Sequence, residues 1–469
     1  MHVLVIQLTR LGDIIQSIPL LNDIKKKYPE SKIDLLINDV FVECRILLKK
    51  INIIPISLNE LVVNNEVFIN RLNKKNYSLV INLNNSPISK EIFSKISCSR
   101  KIGFGNDYRL SYSHVTTKEN ISSLEMIKVE QSKNKEWATF FPSFMKCRNY
   151  NSINLVDIFR HFFSDDYHKN SVFVNYHKLP RDNTQRTKSI AIQCGARCIK
   201  RQLTYHHLLD IATHYLSKGY KVYLLGVEKE KNITQKISRL FTNDNLVDLV
   251  GKTDLKDLVS ILSKCEKLYT PDTGTMHLAA LLNTPVFALF TGPAYPLETL
   301  AYTKNIIVFA PSSEAFPCYP CNEEESCRYN YQCNSFSFNE YFANLDNKKY
   351  TKYEINTDEI GQLLSPINEI ALLYREFVKK HFLNIKTNNR GKFLYSDNLI
   401  INLKRELFLW EKININEIET AILNLNILKP LLYMNCFYNI EHNKESFVKN
   451  RKVINSALRF FRGIINERQ

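Results

Sequence analysis

The stretch YTPDTGTMHLAALLNTPVFALF, residues 269–290, decides the fold. An apolar strand runs into Pro-Asp-Thr-Gly, a helix carrying Met276 and His277 follows, and the chain then returns to a second apolar strand. Strand, helix and strand in this order form the β-α-β unit of a parallel sheet, whose ligands bind at the carboxyl ends of the strands. The turn at Asp272 therefore indicates either a ligand site or ordinary helix-start chemistry.

The same unit occurs elsewhere in the chain. HVLVIQ (2–7), a helix that follows Gly12, and KIDLLIN (32–38) form one β-α-β unit, and SIAIQC (189–194) restarts the pattern. Two successive runs of such units predict two Rossmann-like domains that face a cleft. We expect the joint to fall in the polar residues 165–185.

Three regions follow from this reading. We predict Rossmann-like domains over residues 1–175 and 176–350. From about residue 350 glycine becomes rare and helical patterns such as EIGQLLSPINEIALLYREFVKKHF (359–382) dominate. The prediction for residues 351–469 is therefore a mainly helical extension.

The composition limits the classes of partner that the protein is expected to bind. The chain contains 63 Lys and Arg residues and 47 Asp and Glu residues, and its net charge of +16 favours anionic partners. No zinc-finger spacing, RNP motif or basic region with heptads is present, so we expect no nucleic-acid partner. No apolar run reaches the 18 or so residues that span a bilayer, and the N-terminus lacks a signal-peptide pattern. We expect a cytoplasmic protein.

Phosphate-binding motifs of the standard kinds are missing, since neither GxGxxG after a strand nor GxxxxGK[ST] occurs. What remains is a diphosphate site built from helix N-termini. Asp272, Thr273, Gly274 and Thr275 suit such a site, because glycine allows close approach and the hydroxyls add donors. The alternative is that Asp272 or Thr273 caps the helix and that His277 is an interior histidine; on physical grounds the two are balanced.

Two further turns stand at strand ends. Cys194-Gly195-Ala196-Arg197, followed by Lys200 and Arg201, combines a glycine with several cations, which suits phosphate oxygens or a solvated basic loop. Thr9-Arg10-Leu11-Gly12-Asp13 places a carboxylate at a helix start, where it is either a cap or, if it faces the cleft, a general base for an acceptor hydroxyl.

Taken together, VLVIQLTRLGDIIQSIPLLNDIKKKYP, IAIQCGARCIKRQ, LLGVEKE and TPDTGTMHLAALLNTPVFALFTGP resemble glycosyltransferase family 9, the ADP-heptose heptosyltransferases. The order and spacing hold over roughly residues 1–345. The resemblance implies a GT-B fold, an acceptor site in the first domain, an ADP-sugar site in the second, inversion at the anomeric carbon, and no catalytic metal.

The resemblance also implies roles for individual residues. Asp13 matches the general base, with Thr9, Arg10 and Gly12 on the acceptor side. On the donor side, Lys200 matches the lysine that faces the phosphates and Glu230 the acid near the ribose. The remaining matches are the donor-loop residues Asp272, Thr273, Gly274, Thr275, Met276 and His277. Gln202-Leu203 replaces the family's usual Trp-Pro, which puts the donor preference in question.

A cysteine cluster, CYPCNEEESCRYNYQC, contains Cys318, Cys321, Cys327 and Cys333. Four thiols so close, two of them in C-x-x-C spacing, predict a tetrahedral site for structural zinc or iron; free thiols are the alternative. Family members carry similar clusters, and in protein-directed autotransporter heptosyltransferases, the branch that this chain resembles, the cluster binds iron.

The C-terminal helix is amphipathic and basic. In residues 449–469 the apolar side chains, among them Ile454 and Phe461, share one face, and arginines fall largely off it. Such a helix either lies on an anionic membrane surface or, the reading that we favour, packs on its own domain or a sister subunit.

The sequence thus predicts an enzyme that transfers heptose, or a similar sugar, from an ADP-sugar to a hydroxyl of the lipopolysaccharide core or of a surface protein. A catalytically inactive GT-B-like scaffold that binds a nucleotide or a partner is the alternative. The expected location is the cytoplasm, with a peripheral site at the inner membrane and a homo-oligomer as further expectations.

Overall fold

The computed structural model describes most of two α/β domains and part of the C-terminal region. The described residues are 1–57, 60, 65–84, 86–104, 154–163, 186–241, 244–321, 326–358, 361–365, 373–374, 377, 397–410, 428 and 444–466.

The first domain contains a parallel sheet with the strand order β3-β2-β1-β4-β5. Its strands are His2–Ile6 (β1), Lys32–Asn38 (β2), Asn52–Ile56 (β3), Leu79–Asn82 (β4) and Lys101–Gly103 (β5). Its helices are Leu11–Lys27 (α1), Asn65–Asn73 (α2), Pro87–Lys95 (α3) and Leu155–Phe163 (α4). Residues 3–6 of β1 are fully buried, as expected of a parallel strand that is covered on both faces.

The second domain repeats this plan with the order β8-β7-β6-β9-β10-β11, again parallel. Its parallel strands are Thr187–Gln193 (β6), Lys221–Leu225 (β7), Leu246–Asp248 (β8), Cys265–Pro271 (β9), Val286–Leu289 (β10) and Ile306–Pro311 (β11). Its helices are Tyr205–Ser217 (α5), Lys231–Ser238 (α6), Leu255–Lys264 (α7), Gly274–Leu281 (α8), Pro296–Thr299 (α9) and Phe338–Phe342 (α10). The predicted pair of Rossmann-like domains is therefore confirmed.

The predicted helical extension begins differently from expectation. Tyr350–Asp358 (β12) pairs antiparallel with β11, and Gly361–Ser365 (β13) pairs antiparallel with β12. Residues 351–358 and 361–365 are therefore strands, and the prediction of a helix was wrong there. The physical reason is that the exposed ladder of β11 offers hydrogen bonds that override a local helical pattern.

Helices do follow these strands. Asp397–Trp410 (α11) and Lys444–Asn466 (α12) are described, in agreement with the predicted helical character. The predicted domain joint at residues 165–185 lies outside the described residues.

The apolar face of α12 is covered by protein. Ile454, Ala457 and Phe461 are buried, and the Phe461 ring packs edge-on against Tyr374 at 5.4 Å between centroids. The exposed face carries Arg459. The helix therefore packs on its own chain, which is the reading favoured above. In the described part of the chain, no helix is long and apolar enough to span a membrane.

The two domains are connected through α1 and α4. The fully buried guanidinium of Arg160 on α4 binds Asp23 on α1 with two bonds, of 2.6 and 3.1 Å. From the same segment, Asn154 Nδ2 donates to the carbonyl oxygen of Leu300 in the second domain at 3.0 Å. The segment 154–163 therefore joins α1 to the second domain by buried polar contacts.

Candidate functional site

In both sheets the strand order reverses at equivalent places, between β1 and β4 and between β6 and β9, while the strands stay parallel. At such switch points the loops that leave neighbouring strands diverge and open a crevice at the carboxyl edge. Thr9 and Asn84 follow the two strands of the first domain, and Gly195 and Asp272 follow those of the second. The predicted anion-binding turns therefore lie at the switch points.

Two helices begin at this edge without a side-chain cap. The residue that precedes α1, Arg10, has φ 51° and makes no cap hydrogen bond; nor does Thr273, which precedes α8. Instead, Thr273 Oγ1 lies 3.0 Å from Thr270 Oγ1. Asp13 is in the first turn of α1, so the N-cap interpretations of Asp13 and Thr273 are wrong. Uncapped amide groups and the helix dipoles favour an anion there.

The starts of α1 and α8 meet across the cleft. A Cβ on Gly12 would lie 2.9 Å from Cδ2 of His277, and a Cβ on Gly274 would lie 3.2 Å from Cβ of Leu11. A side chain on Gly12 would force the His277 ring to move, and a side chain on Gly274 would be tight against Leu11. The sequence pattern singles out Gly12, Gly274 and His277 one by one. The structure shows that the three residues lie together.

Asp13 is the ionisable group between these helix ends. Thr9 Oγ1 donates a hydrogen bond of 3.1 Å to Asp13 Oδ2. Burial raises the pKa of the Asp13 carboxyl to about 6, although Arg10 and the Thr9 hydroxyl oppose the rise. A carboxylate with a pKa near the working pH suits a general base.

His277 and Met276 occupy the buried side of α8. His277 is 5% exposed, and burial lowers the pKa of its imidazole to about 4, so the ring is neutral at physiological pH. Met276 is fully buried in the core. The Met276 side chain packs in the apolar core cluster, so its predicted contact with the substrate stays a prediction.

The remaining donor-loop side chains have protein partners. Asp272 Oδ2 accepts a hydrogen bond of 3.1 Å from Arg201 Nη1, and this pair is largely buried. Thr275 Oγ1 donates to Gln193 Oε1 at 2.8 Å. Arg201 thus places a cation beside the start of α8.

Glu230 lies below the basic loop at the end of β6. It is 5% exposed, and its Oε2 accepts the Val227 backbone N–H at 2.8 Å. Its Oε1 is buried and has no hydrogen-bond partner among the described residues, although Lys229 Nζ lies 3.6 Å away. A Cβ on Gly195 would lie 2.1 Å from Glu230 Cδ. Glycine is therefore required beside this carboxylate.

Lys200 is held by its backbone and faces a different surface. Thr291 Oγ1 donates to the Lys200 carbonyl oxygen at 2.9 Å, and a Cβ on Gly292 would lie 2.6 Å from Lys200 Cβ. Lys200 lines a cavity of about 240 Å³ together with all four clustered cysteines, Cys318, Cys321, Cys327 and Cys333. The cysteine loop and the basic loop are therefore parts of one structure.

The cysteine cluster does not match the predicted metal site. Within the described residues, which include all four cysteines, no group of three or more Cys, His, Asp or Glu side chains is placed to hold a metal ion. Burial raises the pKa of the Cys321 thiol to about 11. The four cysteines line one cavity, and the charges of the other three act on Cys321, but the described side chains are not arranged as a metal-binding group.

Two residues of the site escaped the sequence analysis. Asn84 Nδ2 donates to Thr9 Oγ1 at 2.7 Å, which places Asn84 behind Asp13. For Arg201 the sequence indicates a cation, but it does not indicate the pairing with Asp272. The available signal for Asn84 was its position at the end of the run YSLVINLN, just after a buried strand.

Comparison with known sequences finds relatives with a named activity. The chain is 33% identical over 98 residues to lipooligosaccharide heptosyltransferase 2 of Haemophilus influenzae, which covers 20% of this chain and 28% of that protein. It is 32% identical over 95 residues to lipopolysaccharide heptosyltransferase 2 of Escherichia coli, 20% of this chain and 27% of that protein. The chain therefore spans less than a third of the length of these curated relatives.

Solved structures and a family model extend the similarity. A glycosyl transferase family 9 structure from Veillonella parvula aligns with a TM-score of 0.52 and 16% identity over 73% of this chain and 95% of that one. E. coli heptosyltransferase WaaC with ADP aligns with a TM-score of 0.50 and 18% identity over 66% and 92%. These likenesses support the GT-B fold. The model of glycosyltransferase family 9 (heptosyltransferase) matches residues 67–332, more than half of the chain, so the protein belongs to glycosyltransferase family 9.

Proposed function

We propose that the protein transfers heptose from ADP-heptose to an acceptor hydroxyl, in the lipopolysaccharide core or on a surface protein. The observation that carries the proposal is the position of Asp13, whose carboxyl pKa is raised to about 6, between two uncapped helix starts. The relatives named as lipopolysaccharide and lipooligosaccharide heptosyltransferases support the sugar and one class of acceptor.

In the proposed reaction the Asp13 carboxylate accepts the proton of the acceptor hydroxyl. The hydroxyl oxygen bonds to the anomeric carbon of the heptose, and the bond between that carbon and the ADP oxygen breaks. Since Asp272 is paired with Arg201, one carboxylate remains to act at the anomeric centre. This supports a single displacement, which inverts the configuration.

Groups of the chain itself would bind the departing ADP. The uncapped N–H groups at the start of α8 and the guanidinium of Arg201 are suited to diphosphate oxygens. Among the described residues Oε1 of Glu230 has no hydrogen-bond partner, so it is suited to accept a hydrogen bond from a hydroxyl of the ribose. Because these groups supply the positive charge, we propose that transfer needs no catalytic metal and that a chelator leaves the rate unchanged. Lys200 contributes at longer range, from the wall of the cysteine cavity.

The test is Asp13→Asn, which keeps the shape of the side chain and removes its basicity. We expect transfer from ADP-heptose to fall by ~100- to 10,000-fold, while calorimetry shows unchanged ADP affinity. For the wild type, kcat/KM should fall as pH drops below about 6, because the base must be ionised.

Acceptors should be offered as two separate series, a heptose-free lipopolysaccharide core and a serine- and threonine-bearing surface-protein domain. Normal turnover by Asp13→Asn would remove Asp13 as the base. ADP binding without transfer to either acceptor would instead favour the inactive scaffold.

A further inference from the structure

We propose that Asn84 is a positioning residue that keeps Asp13 ready to accept a proton, acting through the hydroxyl of Thr9. The proposal rests on the function proposed for Asp13. It concerns a residue in the loop after β4, 75 positions from Thr9 in the sequence. The switch point between β1 and β4 brings the two together.

The Asn84 side chain has a defined orientation. The Ser86 backbone N–H donates to Asn84 Oδ1 at 3.1 Å, and since a backbone N–H can only donate, this atom must be the amide oxygen. The Nδ2 group then faces Gln7 Oε1 at 3.1 Å and Thr9 Oγ1 at 2.7 Å. Asn84 is 6% exposed, so water does not compete for these bonds.

The Thr9 hydroxyl has a single proton. Because Asn84 donates to Thr9 Oγ1, that oxygen is an acceptor toward Asn84 and its own proton points elsewhere. The acceptor within reach is Asp13 Oδ2, at 3.1 Å. The chain of two bonds therefore has one direction, from amide to hydroxyl to carboxylate.

The bond from Thr9 acts on the ionisation of Asp13. A hydroxyl that donates to a carboxylate favours its ionised form, which is the form that can accept a proton. Burial opposes that form, and Asp272 also opposes it by its charge. The cations that face the carboxylate, Arg10 and Arg197, act in the same direction as Thr9. Removing Asn84 leaves these charges in place and frees the hydroxyl to rotate.

The test compares Asn84→Ala with Thr9→Val and Thr9→Ser. We expect the acidic limb of kcat/KM to move to higher pH by about one pH unit in Thr9→Val, by about half as much in Asn84→Ala, and hardly at all in Thr9→Ser. The double variant that combines Asn84→Ala with Thr9→Val should show the same shift of the limb as Thr9→Val alone, because Asn84 acts only through the hydroxyl of Thr9. Carboxyl carbon NMR, with Asp13 assigned from the signal missing in Asp13→Asn, measures the same pKa without turnover.

Asn154→Ala is the matched control, because Asn154 is also a buried asparagine with two hydrogen bonds, and neither bond involves Thr9 or Asp13. This control variant should lower the melting temperature without moving the acidic limb of kcat/KM. An unchanged limb and NMR pKa in Asn84→Ala would overturn the proposal, as would additive shifts in the double variant. Full activity of Asp13→Asn would instead overturn the proposed function, so the two failures are distinguishable.

Discussion

At the scale of single residues, burial shifts two neighbouring groups in opposite directions. It raises the pKa of the Asp13 carboxyl to about 6 and lowers the pKa of the His277 imidazole to about 4. In both cases the neutral form is favoured, because a low-dielectric surrounding penalises charge. Near neutral pH Asp13 is nevertheless mostly ionised, whereas His277 is uncharged. His277 therefore shapes the contact with Gly12 and contributes no positive charge to the diphosphate site.

Asp34 illustrates a buried carboxylate with a structural role, at the opposite edge of the first sheet. Its oxygens accept hydrogen bonds from Asn52, Lys75 and Tyr77, each of 2.7 or 2.8 Å, and His2 Nε2 lies 3.2 Å away. Burial pushes the pKa of Asp34 upward, but the hydrogen bonds outweigh it and the pKa is lowered. The charged form therefore stabilises the fold.

Asp34→Asn should lower the free energy of unfolding by about 2–3 kcal/mol at pH 7, because charged hydrogen bonds are lost. Since the folded pKa is depressed, this contribution is present above the carboxyl's ordinary pKa of about 4 and is lost as pH falls through the folded value. Urea titrations of both proteins from pH 7 to pH 3 measure it. A difference in stability that stays constant down to pH 3 would contradict the assignment.

At the scale of elements, the cysteine loop supports the basic loop that carries Lys200. The Cys321 N–H donates to the Gly292 carbonyl oxygen at 3.1 Å, and Asn334 Nδ2 donates to the Gln202 carbonyl oxygen at 2.9 Å. These bonds join segments that are far apart in sequence. The cysteine loop therefore has a visible structural function whether or not its thiols bind anything.

Gly292→Ala should disturb this support. Gly292 has φ +58°, and a Cβ would lie 2.6 Å from Lys200 Cβ and 2.8 Å from the Lys200 carbonyl oxygen. We expect a stability loss of about 1–3 kcal/mol and a raised KM for ADP-heptose. Thermal melts and initial rates measure the two effects.

Gly219→Ala is the control, since Gly219 has φ +71° but, of the atoms in the described part of the chain, only Lys188 Nζ lies within 4 Å of an added Cβ, at 3.5 Å. It should cost stability and leave KM unchanged. Equal KM values for the two variants would contradict the prediction, because they would show that the support of Lys200 does not affect donor binding.

At the scale of the whole molecule, the distance between the domains is set where α1 crosses α8. Gly12→Ala would place a methyl group 2.9 Å from the His277 ring and push the two helix starts apart. Because transfer needs acceptor and donor in reacting contact, kcat should fall by up to ~100-fold, while ADP, which binds mainly to the second domain in our proposal, keeps its affinity.

Gly463→Ala on α12 is the matched control, because no atom of the described residues lies within 4 Å of the added Cβ. It should be neutral or slightly stabilising, by about 0.5–1 kcal/mol. Transfer rates and calorimetric ADP affinities of both variants give the answer. Wild-type kcat in Gly12→Ala would show that the approach of α1 to α8 does not control transfer.

The sequence by itself determined the two Rossmann-like domains and the turns at their carboxyl edges. Alternation of apolar strands with amphipathic helices is a local pattern, and one pattern of strand, glycine turn and helix defined both the stretch at residues 269–290 and the first turn at Thr9–Asp13. Such patterns depend on neighbours within a few residues. They are therefore readable without knowledge of the three-dimensional contacts.

Only the tertiary structure decided the pairings between distant residues. Arg201 and Asp272 are 71 positions apart, and Asn84 and Thr9 are 75 apart. The strands β12 and β13 likewise formed because a sheet edge was available to pair with, and the cysteines lined a cavity although their spacing predicted convergence. In each case strand order and side-chain packing determine the partner, and local sequence periodicity does not indicate which partner that is.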